Sequence, residues 1–308
     1  MAGINQGRPE LAVGEPIRLG SNDEFEIEQH PISDRLIIRD TQNGKVAYVR
    51  KERGGQIGGD GVLIKALKES KPMADDGRTY DTIQQAEREA SAWVFVPPGT
   101  FNESVTIDTE GLTLRGSGYN TELTKLLRTR QDDITVSNLS ITTEDVTIDC
   151  FGDNFTISNV VAENTIDDGD VLDTSGDNSL IYNCTFIGGD RGIEVRGENV
   201  IITNNTLKNT SYVGSTGGHT ILMRDPNQLV ANNVLLDNND NGISPFESPN
   251  SIIIGNRIIN TEDFGIRIYS GTNDCIVANN RISDSGNSDI QDDATGTILD
   301  ANLTGSAN

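Results

Sequence analysis

Between about residue 134 and residue 290 apolar and polar positions repeat one phrase: VSNLSI (136–141), ISNVVA (157–162), IYNCTF (181–186), ITNNTL (202–207), VANNVL (230–235), IIGNRI (253–258) and VANNRI (277–282). Each phrase sets down an apolar residue, one free position, a two-residue corner rich in Asn, and a second apolar alternation. Its fourth residue falls at Leu139, Val160, Cys184, Asn205, Asn233, Asn256 and Asn280, in steps of 21 to 28 residues. A period of this size built from two-residue alternation marks a solenoid of strands. One coil cannot bury its apolar side alone. Stacked at the ~4.8 Å strand spacing, like residues of successive coils form columns, with Ile, Val and Leu inside. The corners need tight turns, often with φ > 0, which Asn tolerates better than other non-glycine residues. Stacked Asn amides also bond to one another and to backbone along the axis. The predicted fold is an all-β, right-handed parallel β-helix.

A second column sets the register through DVLD (170–173), GIEV (192–195), TILM (220–223), GISP (242–245) and GIRI (265–268). Its inward residues are expected at Val171, Ile193, Ile221, Ile243 and Ile266. The longest step of both columns crosses the same coil, so NTSYVGSTGGH (209–219) is read as an inserted loop, and such insertions often build binding surfaces. Ahead of the solenoid, residues 1–20 read as an arm or linker. Residues 21–55 read as a small β attachment unit built from FEIEQ, RLIIRD and KVAYVR, with a hairpin signal at Asn43-Gly44. A unit this small needs a partner surface. Residues 56–72 form a Gly-rich joint with a short helix candidate, residues 73–300 the β-helix, and residues 301–308 a tail. A capping helix is expected near 79–91, N-capped by Thr79 or Asp81 with Ile83, Ala86 and Ala90 facing inward, plugging the open first coil.

Composition changes this picture in two ways. The chain carries 47 Asp and Glu against 24 Lys and Arg, a formal charge of −23, and arginine outnumbers lysine. Such a surface suits molar salt, where carboxylates hold water and ions screen their repulsion. No basic stripe exists to neutralise phosphates, so nucleic acid is not an expected partner. No apolar run is long enough for membrane insertion, and the first residues lack an export-signal pattern. Cys150, Cys184 and Cys275 are far apart, and they read as small core residues.

The run DDGRTYDTIQQA followed by VFVPPGTFNESVTI and LTLRGSG resembles the entry of pectate-lyase-like right-handed β-helix proteins. The resemblance implies a capping helix, a strand, a Pro-Gly turn and the first coils. It leaves function open, because that superfamily holds polysaccharide lyases, hydrolases, epimerases and viral tailspikes. The head segment DEFEIEQHPISDRLIIRDTQNGKVAYVRK with its Gly-rich sequel is similar to β-helix proteins of tailed viruses and proviruses of halophiles. That similarity implies a virion surface component (spike, turret or tail fibre) made in the host cytoplasm. Residues 1–55 would contact other virion proteins and the β-helix would face a host cell-surface glycan or glycoprotein. It also implies a homo-oligomer, most often a trimer.

Candidate chemistry lies along the GI-x-V column. Its outward positions are read as Leu172, Glu194, Leu222, Ser244 and Arg267, with Thr174, Arg196, Arg224, Phe246 and Tyr269 two residues on. A glycosidase needs two carboxylates, for which Glu194 with Asp225 or Glu247 are candidates. A lyase or epimerase needs a base and a neutralised uronate, for which His219 or Tyr269 with Arg267 are candidates. The column as read has two leucines, one lone Glu and no Asp pair, so catalysis is not expected and carbohydrate contact is weighed against a solvated surface. Arg196, Tyr212, Arg224, Phe246, Arg267 and Tyr269 are the contact candidates, since sugars stack on aromatic rings. No cofactor is expected. A bound cation is weighed at Asp167, Asp168, Asp170 and Asp173 against a hydrated acidic loop, and Asn209 is a candidate glycan acceptor. Three functions follow in order: a virion adhesion protein of a salt-adapted virus, a polysaccharide-active enzyme, and a ligand-free capsid decoration.

Overall fold

The computed structural model describes residues 17–19, 25–29, 35–40, 46–50, 70–166, 169–211 and 218–305. The Gly-rich joint, the short helix candidate, Asp167, Asp168, Tyr212 and most of the inserted loop lie outside the described residues. The chain divides into two compact units, Met1–Ser70 and Lys71–Asn308. In the first, strands Ile17–Leu19, Phe25–Gln29, Arg35–Asp40 and Val46–Arg50 form an antiparallel sheet in chain order. The pairing of Arg39 with Val46 brackets the Asn43-Gly44 turn signal. Ile17–Leu19, which falls within the segment read as an arm, pairs with Phe25–Ile27.

The second unit is a parallel β-helix with three walls. The front wall is a sheet of nine parallel strands, from Val105–Ile107 through Asp170–Thr174, Arg191–Val195, His219–Met223, Asn241–Pro245 and Phe264–Ile268 to Ser288–Asp292. The side and back walls come from the repeated phrase. On one coil they are Leu180–Tyr182 and Thr185–Gly188, on the next Ile201–Thr203 and Thr206–Lys208. Ile181, Ile202, Val230, Ile253 and Val277 stack inside with no exposed surface.

The corners divide the work of asparagine between two adjacent positions. The first residue of the side-to-back corner is left-handed: Asn183, Asn204, Asn232 and Asn279 have φ of 54 to 57°. The second, Asn205, Asn233, Asn256 or Asn280, is buried and forms a ladder. Each Nδ2 donates to the next Oδ1, from Asn205 to Asn233 at 3.1 Å and on to Asn256, Asn280 and Asn302. Each Oδ1 also accepts the backbone N–H of the coil before, starting with Cys184 on Asn205 at 2.9 Å. Two further left-handed columns mark the other corners: Asn178, Asn199, Asn227, Asn250 and Asp274, and Asn209, Asp237, Asn260 and Asp284. All three cysteines are buried free thiols, and burial pushes Cys184 up to about 12.

The front-wall register corrects one expectation. Leu172, and not Val171, pairs with Ile193, so the outward neighbour of Glu194 is Asp173 and not Leu172. The ladder pairs Asp170 with Arg191 and Leu172 with Ile193. Val171 and Leu172 are both fully buried, so apolarity alone does not tell which one lines the column. By the same shift Thr174 is a buried inward residue paired with Val195, not an outward one.

The capping helix, α1, spans Ile83–Glu89. Its N-cap is Thr82, whose Oγ1 accepts from Gln85 N at 3.1 Å, and not Thr79 or Asp81. Asp81 instead pairs with Lys71 at 2.6 Å on the surface. Ile83 and Ala86 are fully buried. The Gln84 amide accepts from Thr106 N at 2.7 Å and donates to Thr106 O at 2.9 Å, occupying the edge of the first front strand as a neighbouring strand would. Buried Glu87 accepts from the backbone N–H groups of Asp108 and Thr109 at 2.9 and 3.1 Å.

Candidate functional site

With the register corrected, one outward column of the front wall reads Arg128, Asp149, Asp173, Glu194, Leu222, Ser244, Arg267 and Gln291 on successive coils. Adjacent coils stand about 4.8 Å apart, so three consecutive carboxylates would repel strongly if left unpaired. Arginines from both sides pair them. Arg128 meets Asp149 at 2.7 Å and Arg196 meets Asp173 at 2.9 Å. The Glu194 side chain, 1% exposed, is gripped by Arg191 at 2.9 Å, by Arg196 at 3.1 Å and by Arg224. Arg191 also reaches Asp170 at 3.1 Å. Burial alone would raise Glu194, but Arg191 and the hydrogen bond from Arg224 outweigh it and hold the carboxyl below its ordinary range. Burial dominates at Asp170, with Glu194 and Asp173 adding to it against Arg191, and pushes that carboxyl up to about 7.

Beside this network lies an aromatic group. His219, 8% exposed, shares a 2.9 Å hydrogen bond between Nδ1 and Ser244 Oγ. Burial, reinforced by Arg191, Arg224 and Arg267, pushes the imidazole down to about 4, so it is neutral at pH 7. The Tyr269 ring meets His219 edge-on at 6.1 Å and Phe246 at 5.1 Å. Arg267 lies over Tyr269 at 4.5 Å, and Arg224 over Phe246 at 5.5 Å. The guanidiniums are thus held over partly exposed rings, an arrangement that brings aromatic surface and charged donors together for a sugar.

The candidate residues fall into separate groups. Glu194, Arg196 and Arg224 meet in the ion network, and His219, Arg224, Phe246, Arg267 and Tyr269 meet in the aromatic group. Asp225 lies near the corner with Asp177 and Glu247, and its own partial burial, with the charges of those two, raises its carboxyl. Glu247 is an exposed, left-handed corner residue. Of the cation candidates, Asp170 and Asp173 come together with Glu194, their oxygens within 4.8 Å of one another. Arg191 and Arg196 already supply the positive charge there. Asp149 and Arg191 were not singled out in the sequence. The corrected register sets Asp149 beside Asp173, and Arg191 reaches Glu194 from its own strand.

The family model described as "Right handed beta helix region" matches residues 146–304, just over half of the chain's 308 residues. The chain belongs to that right-handed β-helix family. The matched stretch carries the aromatic group and every member of the ion network but Arg128. A pectin methylesterase solved with a hexasaccharide is 15% identical, over 67% of this chain and 86% of its own, with a TM-score of 0.48. The A-module of the Azotobacter vinelandii mannuronan C-5 epimerase AlgE6 is 16% identical over 70% of this β-helix chain and 74% of its own, at 0.44. The tailspike gp49 of Acinetobacter baumannii bacteriophage Fri1, a capsular polysaccharide depolymerase, is 12% identical over 89% and 63%, at 0.39. No curated protein matches the sequence. Among the described residues no helix is long and apolar enough to cross a membrane.

Proposed function

We propose that this β-helix is a virion surface protein of a salt-adapted virus that binds a host-surface glycan through the front wall, with its N-terminal unit as the attachment piece. The observation that carries glycan contact is the platform of Phe246 and Tyr269 with Arg224 and Arg267 stacked on them. Hydrolysis through Glu194 is disfavoured, because three arginines hold that carboxylate ionised and it has no proton to give a leaving group. The virion assignment rests on the similarity of the head segment and on the separate antiparallel unit ahead of the solenoid. Binding of the full-length chain to host-surface polysaccharide, measured by calorimetry, tests the site. Tyr269→Ala and Arg267→Ala should each weaken binding at least tenfold with the fold intact. Unchanged affinity in both variants would sink the platform as the contact. Gold-labelled antibody against the β-helix, seen at fixed positions on purified particles, tests the virion role, and unlabelled particles overturn it.

A second reading is favoured by His219. A neutral imidazole oriented by Ser244, beside Tyr269 and Arg267, has the parts for proton abstraction from a uronate whose carboxylate an arginine neutralises. Incubation with acidic polysaccharides separates the two. Unsaturated or epimerised products that vanish in His219→Ala support the enzyme, and intact polymer supports binding alone.

Salt adaptation carries its own prediction. With a formal charge of −23, self-repulsion grows as salt is withdrawn. The unfolding midpoint of the full chain should fall steadily from molar to millimolar salt. A midpoint that does not move counts against a halophilic origin.

A further inference from the structure

The side wall carries a feature that neither glycan contact nor the fold requires. Its outward column reads Leu180, Ile201, Leu229, Ile252, Ile276 and Ile298 on six successive coils. Four of these, Ile201, Ile252, Ile276 and Ile298, are 38, 37, 36 and 56% exposed. On the three coils before, the same column is Thr113, Thr135 and Thr156, so the wall folds equally well with threonine there. Beside the ridge runs a shallower column of Thr203, Ala231, Ile254 and Ala278, its two alanines only 7% exposed. No outward residue of these strands from Leu180 to Ala278 is charged, in a chain with 71 charged side chains (47 acidic and 24 basic). Exposed asparagines rim the strip on both sides, Asn199 and Asn227 at one corner, Asn204 and Asn232 at the other.

We propose that this ridge is the surface on which a second copy of the chain packs. Three features favour a copy of itself over another partner. A ridge beside a trough is self-complementary: a two-fold axis parallel to the coil axis sets each ridge into the facing trough. The ridge repeats at the strand spacing, and another β-helix of this chain has the same repeat. The chain is strongly acidic, so two copies repel wherever carboxylates face each other, and on the five coils from Leu180 to Ala278 the strip presents none; Asp300 enters the shallower column only on the last coil, beside Ile298. Six coils span about 24 Å, so the strip is long enough to be the apolar centre of an interface whose remaining area comes from the flanking corners. An apolar centre with an amide rim is the ordinary anatomy of such a surface.

Sedimentation of the full-length chain in molar salt tests this. The wild type should sediment as an oligomer, and Ile252→Asp/Ile276→Asp as a monomer with unchanged circular dichroism. The triple variant Ile201→Thr/Ile252→Thr/Ile276→Thr installs the residue that earlier coils carry and should weaken association at least tenfold. It decides the matter if the aspartate variant misfolds. A wild type that stays monomeric at every concentration overturns the proposal, as do threonine variants that keep the oligomer's mass.

Discussion

Asn233→Ala is expected to destabilise the β-helix by at least about 3 kcal/mol, a large effect for one exchange of a polar side chain. The side chain joins three coils. Its Oδ1 accepts from Asn205 N at 2.9 Å and from Asn205 Nδ2 at 3.1 Å. Its Nδ2 donates to Ile202 O at 2.9 Å and Asn256 Oδ1 at 3.1 Å. Alanine leaves the Asn205 N–H and amide and the Ile202 carbonyl without these partners in a site that water does not reach, and each buried unsatisfied group costs about 1–3 kcal/mol. The neighbouring Asn232 is the control. It is exposed and holds φ of 56°, so glycine satisfies the turn equally well. Asn232→Gly should therefore be close to neutral and Asn233→Gly as damaging as Asn233→Ala. Urea unfolding followed by circular dichroism measures both, and equal losses would contradict a division of labour between turn and ladder.

That pair also shows what was legible in the chain. The fold was readable because the phrase repeats with its corner in a constant place, and a buried amide that must meet its like on the next coil admits few substitutes. The other two corner columns were not singled out, because Asp and Gly serve there beside Asn: Asp274 follows Asn250, and Asp237 follows Asn209. A left-handed turn asks only for a tolerant backbone, so it leaves a weaker mark than a ladder does. The exposed ridge stands immediately before each phrase, at Leu180 before IYNCTF and Ile201 before ITNNTL. Its apolar residues merged with the core residues that follow them.

The candidate site was legible as a list and not as a geometry. Glu194, Arg196 and Arg224 were all visible, but their meeting depends on which residue of DVLD pairs with Ile193. One residue of slip turns a column with a lone Glu into one with three adjacent carboxylates, and so changes its chemistry from a bare acid to a paired network. Arg191 and Glu194 are three apart in sequence, yet Arg224 comes from the next coil, 30 residues on, across the inserted loop. No spacing rule connects residues across coils of unequal length.

Glu194→Ala should be the most damaging change on the front wall. Removing one partner of a buried ion pair costs about 3–5 kcal/mol because the charges left behind stay desolvated. Here Arg191, Arg196 and Arg224 all lose a partner at once. The unfolding midpoint should drop by roughly 10 °C, and Glu194→Gln, which keeps the shape but not the charge, should recover only a small part. The network also sets a pH dependence with two opposing limbs. Asp170 is raised to about 7 and Asp240 to about 6, each chiefly by burial. The folded chain therefore holds these protons more tightly than the unfolded one, and stability falls as pH rises from the ordinary carboxylate range through 6 and 7. Glu194 is lowered from 4.5, so its contribution is present above that value and is lost as pH falls through its depressed one. Thermal unfolding should thus be most resistant near about pH 5, with losses toward both acid and neutral pH. Asp170→Asn carries no titrating proton and should make the limb between pH 5 and 8 shallower, leaving the share of Asp240 and the acid limb in place. A neutral limb that keeps its full slope in Asp170→Asn would remove this carboxyl as its source.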